Sequence, residues 1–399
     1  MPRGLLCFLP ALGLLFAGAA VAQTDVQFRQ CNGADPVLAI LGCTAIIDSH
    51  DTSPPLRSRA LANRGLAYVA RGQNERAIAD LDRAVILDSS DSIAFVARGN
   101  YYQSHGNRER ALADYNQAID ADPKNASAFA QRGNFYLTES DPEHAIPDYD
   151  QAIKLDPKNA AVYANRGEAY RVQGDNDRAI QDFDAAIKVD PKFPAAHDDR
   201  GLALLAKGDY DHAVQDFDLA IKLDPKSVAA LVHRGGAYEA KGAHERALED
   251  YAQAIKLDPN NPAPYVSRGN IYQDRNDLDR AIEDYGHAIM ADANFAAAFN
   301  NRGTAYARKG QYELAVVDYD QAIKLDPRLG NAFANRGLAL LKTGQFARAV
   351  SDFDRALAVN PRDALSLYNR GAAKQRMGNS VGGDIDVINA RALDPNVGK

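Results

Sequence analysis

Residues 63–88 read NRGLAYVARGQNERAIADLDRAVILD, and residues 301–326 read NRGTAYARKGQYELAVVDYDQAIKLD. They are two copies of one pattern. Between and around them the dipeptide Arg-Gly begins at Arg64, Arg98, Arg132, Arg166, Arg200, Arg234, Arg268, Arg302, Arg336 and Arg370, each 34 residues after the last. A fixed period of this size decides the fold, because so short a unit cannot bury a core alone and must stack on its copies. Numbering each unit so that the glycine is position 8 gives ten: 58–91, 92–125, 126–159, 160–193, 194–227, 228–261, 262–295, 296–329, 330–363 and 364–397.

Within a unit, apolar or small residues fall at positions 4, 8 and 11 and again at 20, 21, 24, 27 and 28. This is helical spacing in two blocks, so each unit is a helix pair. Position 15 is Gly except at Ser140 and Asn276, and position 32 is Pro except at Ser89 and Ala293. The first residue type lets a helix end in a left-handed turn; the second disfavours helix in the residue before it. Gly at 8 and Ala at 27 occur in every unit, where two helix backbones must approach closely. Larger residues such as Phe129, Tyr136 and Tyr149 fill the remaining space.

The chain resembles the tetratricopeptide-repeat family, whose small and aromatic positions recur through all ten units. The resemblance implies an all-α, right-handed superhelical solenoid whose first helices line a concave groove, and a role in holding other proteins. Departures are local. His197 stands at the apolar position 4, Leu204, Leu340 and Lys374 replace Tyr at position 11, and the last unit is altered at Gly383, Asp384 and Ile388.

Residues 1–22 place Arg3 before an apolar run from Leu5 to Val21 that ends Ala20-Val21-Ala22, the layout of a signal peptide cleaved before Gln23. The alternative is an uncleaved membrane anchor. An exported protein is expected, in a bacterial periplasm or outside the cell. Residues 23–57 read as an N-terminal cap: Ala39, Cys43 and Ile46 match positions 20, 24 and 27 of a second helix, and SHDTSPPL, 49–56, is the connector. Cys31 and Cys43 remain after cleavage, an even pair that suits a disulfide in an exported chain, or two unpaired small core residues. At the other end GGDIDVINARALDP, 382–395, carries polar residues suited to a solvent-facing last helix.

Arg at position 7 and Asp at position 23 recur in every unit: Arg64 with Asp80, Arg98 with Asp114, Arg132 with Asp148, Arg166 with Asp182, and onward. The repetition reads as a structural ladder between first and second helices, since matched carboxylates neutralise what would otherwise be a basic track for anions. Asp at position 31, as in Asp156-Pro157, reads as a cap for the next helix. Groove chemistry, by the resemblance, belongs to positions 2, 5, 6, 9, 12 and 13. Position 6 is rich in amides, Asn63, Gln131, Asn165, Asn301, Asn335 and Asn369, supplemented by Asn100, Asn134 and Asn270 at position 9. An amide both donates and accepts, so such a row suits an extended peptide backbone. It is similar to the asparagine ladder of the O-linked N-acetylglucosamine transferases. Solvated polar residues are the other reading, because Ala97, Asp199, His233 and Ser267 interrupt the row. The family's carboxylate clamp for chaperone tails is not matched.

A net charge of −7, with 46 basic against 53 acidic residues, weighs against nucleic acid. The eight histidines form no metal-ligand spacing, and no Walker loop, dinucleotide-binding glycine pattern or nucleophile elbow occurs. Acids such as Asp148 and Asp150 alternate around a helix and do not converge. The sequence therefore points to a non-catalytic protein-interaction scaffold without cofactor or metal, binding proteins or extended peptides. A fixed subunit of an envelope assembly or secretion complex is the narrower alternative. A ligand-binding or catalytic protein of unrelated class is the remote one.

Overall fold

The computed structural model of the chain describes residues 25–399, and every regular element among them is a helix. The proposed signal segment, 1–22, lies outside the described residues. After a short helix over 25–31 (α1) comes α2 (Pro36–Asp48), then the repeats, each a first helix followed by a second. These are α3 (Pro54–Ala70) with α4 (Asn74–Leu87), α5 (Ser92–Ser104) with α6 (Arg108–Ala121), α7 (Ala126–Thr138) with α8 (Pro142–Leu155), and α9 (Ala160–Val172) with α10 (Asn176–Val189). They continue as α11 (Pro194–Ala206) with α12 (Tyr210–Leu223), α13 (Val228–Ala240) with α14 (His244–Leu257), α15 (Pro262–Asp274) with α16 (Leu278–Ala291), α17 (Ala296–Arg308) with α18 (Tyr312–Leu325), α19 (Gly330–Lys342) with α20 (Phe346–Val359), and α21 (Ala364–Arg376) with α22 (Ser380–Leu393).

The punctuation is chemical. In α9 the helix closes when Gly174 takes φ +83°, letting its N–H donate to the Arg171 carbonyl and the Asp175 N–H to that of Tyr170. Ser140 and Asn276 hold the same left-handed conformation at φ 60°, so the turn is imposed even where glycine is missing. Asp175 then caps α10 by accepting from the Arg178 N–H. Position 31 does less than expected. Asp156 accepts from the Lys158 N–H at 3.1 Å, closing an Asx turn over the proline, while the following first helices take their caps from position 34, as Asn125 does for α7.

Close approach explains the glycine at position 8. A Cβ added to Gly133 would lie 2.7 Å from Cε1 of Tyr149, and one added to Gly235 would lie 2.5 Å from the same atom of Tyr251. The ring at position 24 thus lies on the first helix's backbone. Tyr115, Tyr149, Phe183, Phe217, Tyr251, Tyr285, Tyr319 and Phe353 are all fully buried there, each burial stabilising by about 2 kcal/mol.

The chain divides into two compact units, one through Ala203 and the other from Leu204. In the first, buried clusters run from Cys43, Leu61 and Leu81, through Tyr149 and Val162, to Phe183 and Ala196. In the second they run from Tyr251 and Ile271 through Tyr285 and Tyr319 to Phe353 and Leu367. Each core is thus a chain of local contacts between neighbouring repeats, without a single centre.

Three details of the ends differ from the expectation. The connector is shorter than 49–56, because Pro54 and Pro55 open α3, where their missing N–H groups would be unpaired in any case. The cap is more than half a repeat: α1 packs on α2 through Gly42, whose added Cβ would meet the Gln27 carbonyl at 2.6 Å. The last helix exposes the expected polar residues, among them Asp384 and Asn389, but apolar ones as well. Val381, Ile385 and Ile388 on α22 are 73%, 52% and 65% exposed, forming an apolar stripe at i, i+4, i+7 spacing.

Candidate functional site

Nine of the repeat arginines are held by a two-pronged hydrogen bond to the aspartate of their own second helix. In Arg132 the Nε and Nη2 donate to Asp148 at 2.8 and 2.7 Å; in Arg336 they donate to Asp352 at the same distances. The Arg64–Asp80, Arg98–Asp114, Arg166–Asp182, Arg234–Asp250, Arg268–Asp284, Arg302–Asp318 and Arg370–Asp386 pairs repeat the fork. The aspartates are buried, so the fork supplies the hydrogen bonds that replace water. At Asp386, burial pushes the carboxyl up, but hydrogen bonds from Arg370 and Lys374 outweigh it and hold the pKa below the usual range.

The third edge of the guanidinium reaches the preceding repeat. Nη1 of Arg98 donates to Asp82 at 2.8 Å, that of Arg132 to Asn116 at 2.7 Å, and that of Arg166 to Asp150 at 2.5 Å. Arg234, Arg336 and Arg370 do the same with Asp218, Asp320 and Asp354, while Arg64 uses Thr44 of α2. The ladder is therefore also a zipper between repeats. Position 25, which supplies these acceptors, was missed by the sequence reading, although its recurrent Asp was the signal. Asp148 and Asp150 diverge as the helix period requires, each to a different arginine.

The amides are arranged less simply than a row. In the first unit the Tyr149 hydroxyl and Asn165 Nδ2 both donate to Asn134 Oδ1 at 2.8 Å, while Asn134 Nδ2 lies 3.4 Å from Gln131 Oε1. Asn63 Nδ2 donates to Asn32 of the cap, and Asn100 accepts from Tyr115. In the second unit Asn270 Oδ1 accepts from Tyr285 and Asn301, and Asn335 donates to Asn300. The amide N–H groups are thus partly committed to linking one first helix to the next. The Oδ1 atoms of Asn63, Asn165 and Asn335 keep their accepting capacity at half-buried positions. Asn369 is also half-buried. The buried tyrosines at position 24 are hard to ionise: burial raises Tyr115, Tyr149, Tyr251 and Tyr285 well above the ordinary phenol, and pushes Tyr319 up to about 12.

In the cap, Cys31 and Cys43 are paired, with Cα atoms 4.6 Å apart. A cleft beside them is lined by Asn32, Pro36, Asn63 and Leu66. Among the described residues no group of three or more His, Cys, Asp or Glu side chains is placed to hold a metal ion, and no helix is long and apolar enough to cross a membrane.

Family profiles described as tetratricopeptide repeat match residues 44–92, 96–160, 131–197, 164–228 and 199–262. Others match 251–283 and 330–363, and a TPR-repeat profile matches 269–310 and 303–344. The chain belongs to the tetratricopeptide-repeat family. No curated protein matches this tetratricopeptide chain. Among solved structures, the APC/C hetero-tetramer Cut9-Hcn1 is similar over 96% of this chain and 92% of its own, at 14% identity and a TM-score of 0.50. PilF of Pseudomonas aeruginosa is similar over 54% of this chain and 97% of its own, at 20% identity and a TM-score of 0.48. YrrB, described as a TPR protein with an unusual peptide-binding site, covers 46% of this chain and 94% of its own, at 22% identity and a TM-score of 0.41. At these identities the likeness is one of fold. The tetratricopeptide fold is a protein-interaction scaffold.

Proposed function

We propose that this tetratricopeptide protein is a non-catalytic scaffold that holds an extended peptide segment of a partner protein along its amide-bearing first helices. The observation that carries the reading is the amide relay. Asn63 and Asn165 in the first unit, and Asn335 in the second, are each anchored through Nδ2 and keep Oδ1 as an acceptor, oriented within its own unit for a backbone N–H of a bound strand. Such contacts, individually weak, add within each stack of repeats.

The exported address is part of the same proposal, supported by the apolar run from Leu5 to Val21 and by the paired cysteines of the cap. A second reading, a fixed subunit of an envelope or secretion assembly, is favoured by the exposed stripe Val381, Ile385 and Ile388, which suits a permanent protein contact.

The test is affinity capture from the exported fraction, comparing the unaltered chain with Asn165→Ala, Asn301→Ala, Asn335→Ala and checking both by circular dichroism. Partners held by the first and lost by an equally folded variant support the amide surface; identical partner sets overturn it. A captured chain beginning at Gln23 supports a cleaved signal segment, and one beginning at Met1 contradicts cleavage. A stoichiometric complex that survives detergent extraction favours the second reading.

A further inference from the structure

The zipper between repeats is broken at two consecutive rungs. Arg268 and Arg302 keep the fork to Asp284 and Asp318, at 2.7 to 2.8 Å, but the residues one repeat earlier at position 25 are Ala252 and Gly286. Neither can accept the third guanidinium edge. The gap at Gly286 is open and aimed: a Cβ built there would have Arg302 Nη1 as its only neighbour within 4 Å, at 3.9 Å. Both arginine side chains are about one-fifth exposed, and Ala252 itself is exposed.

The fold itself shows which groups fit such an edge. Elsewhere it receives one carboxylate oxygen, as from Asp82, Asp150 and Asp320, one amide oxygen, from Asn116, or, at Arg64, the Thr44 hydroxyl; carboxylate is the commonest. The guanidinium is already fixed by its fork, so engaging an acceptor costs the arginine little further side-chain entropy. Other surroundings of the gaps are distinctive. Lys256 lies one turn beyond Ala252 and brings a further cation, while Met290, one turn beyond Gly286, is 74% exposed and apolar. Glu249 and Glu283, three residues before each gap, are exposed and make no ion pair with either arginine.

We infer that Arg268 and Arg302 form a bivalent docking site for an acidic peptide segment of a partner protein, whose carboxylates replace the two side chains that the repeats omit. One such contact at a partly exposed arginine is weak. Two on adjacent repeats act as one intramolecular pair and give a usable affinity. The site uses the ladder and not the amide relay, so it stands or falls apart from the peptide-binding reading above.

The test fills the gaps from within. A fluorescein-labelled decaglutamate peptide is titrated with the full chain at low ionic strength and followed by anisotropy, in parallel with an Ala252→Asn, Gly286→Asn variant. Asparagine supplies the acceptor without adding charge, and Asn116 shows that the position tolerates it. An Ala252→Asp, Gly286→Asp variant repeats the filling with the commoner side chain. The expected result is binding to the unaltered chain that weakens at least fivefold in both variants, with melting temperatures equal or higher. Absence of decaglutamate binding, unchanged binding in the Asn variant, or weakening confined to the Asp variant, which signals general charge repulsion, would overturn the proposal.

Discussion

The turn residue at position 15 shows how much one side chain decides. Eight repeats place Gly there; Ser140 and Asn276 hold the same left-handed conformation at φ 60°. A Cβ in this region costs about 1 kcal/mol, less for Asn, whose side chain tolerates it. Ser140→Gly is therefore expected to stabilise the chain by about 1 kcal/mol, and Asn276→Gly by less than half of that. Urea midpoints of the two variants check this, and an equal gain at both sites, or a loss at 140, would contradict it. The position was legible in the sequence, because a turn residue acts through its own backbone. The partner of Arg98 was legible only in part. Asp114 lies 16 residues after it and Asp82 lies 16 residues before it, so sequence spacing does not separate the two, and the structure shows that both are engaged.

Helices differ from residues in that their contacts have unequal worth. Asp148 is buried under the fork of Arg132, whereas Asp150 is about half exposed where it meets Arg166. Removing the first leaves a half-buried guanidinium unpaired; removing the second frees an edge that water can satisfy. Asp148→Ala is expected to cost about 3 kcal/mol. Asp150→Ala should cost about 1 kcal/mol or less. Chemical denaturation of both variants makes the comparison, and equal losses would show that the outer rung matters as much as the inner one. At this scale the sequence predicted helix ends well, since Gly, Pro and caps act locally, but placed the first repeat helix too late. Pro54 and Pro55 looked like connector and proved to be the first turn of α3.

For the whole molecule, stability is a sum over similar repeats, so a group repeated in many of them gives a large collective effect. The position-24 tyrosines are such a group. Their folded pKa values lie above the ordinary value of about 10, that of Tyr319 reaching about 12, because burial opposes the phenolate. A raised folded pKa contributes stability that is fully present below the unfolded pKa and is lost as pH rises through the folded one. Absorbance titration at alkaline pH should show the position-24 tyrosines ionising late, together with loss of helix. All 18 tyrosines titrating as one class with the helices intact would refute this.

By itself the sequence determined the period, the helix pair within it, the turn between the helices and the small residues that recur where helices meet. Each of these depends on spacing within one unit, and the unit is written out ten times. Only the tertiary structure decided how neighbouring units lock together: Arg166 reaching back to Asp150, Asn165 donating to Asn134, and the two rungs left open at Ala252 and Gly286. These contacts join side chains on different repeats, and their pairing is set by the rotation and rise between stacked helices, a geometry that no spacing along the chain records.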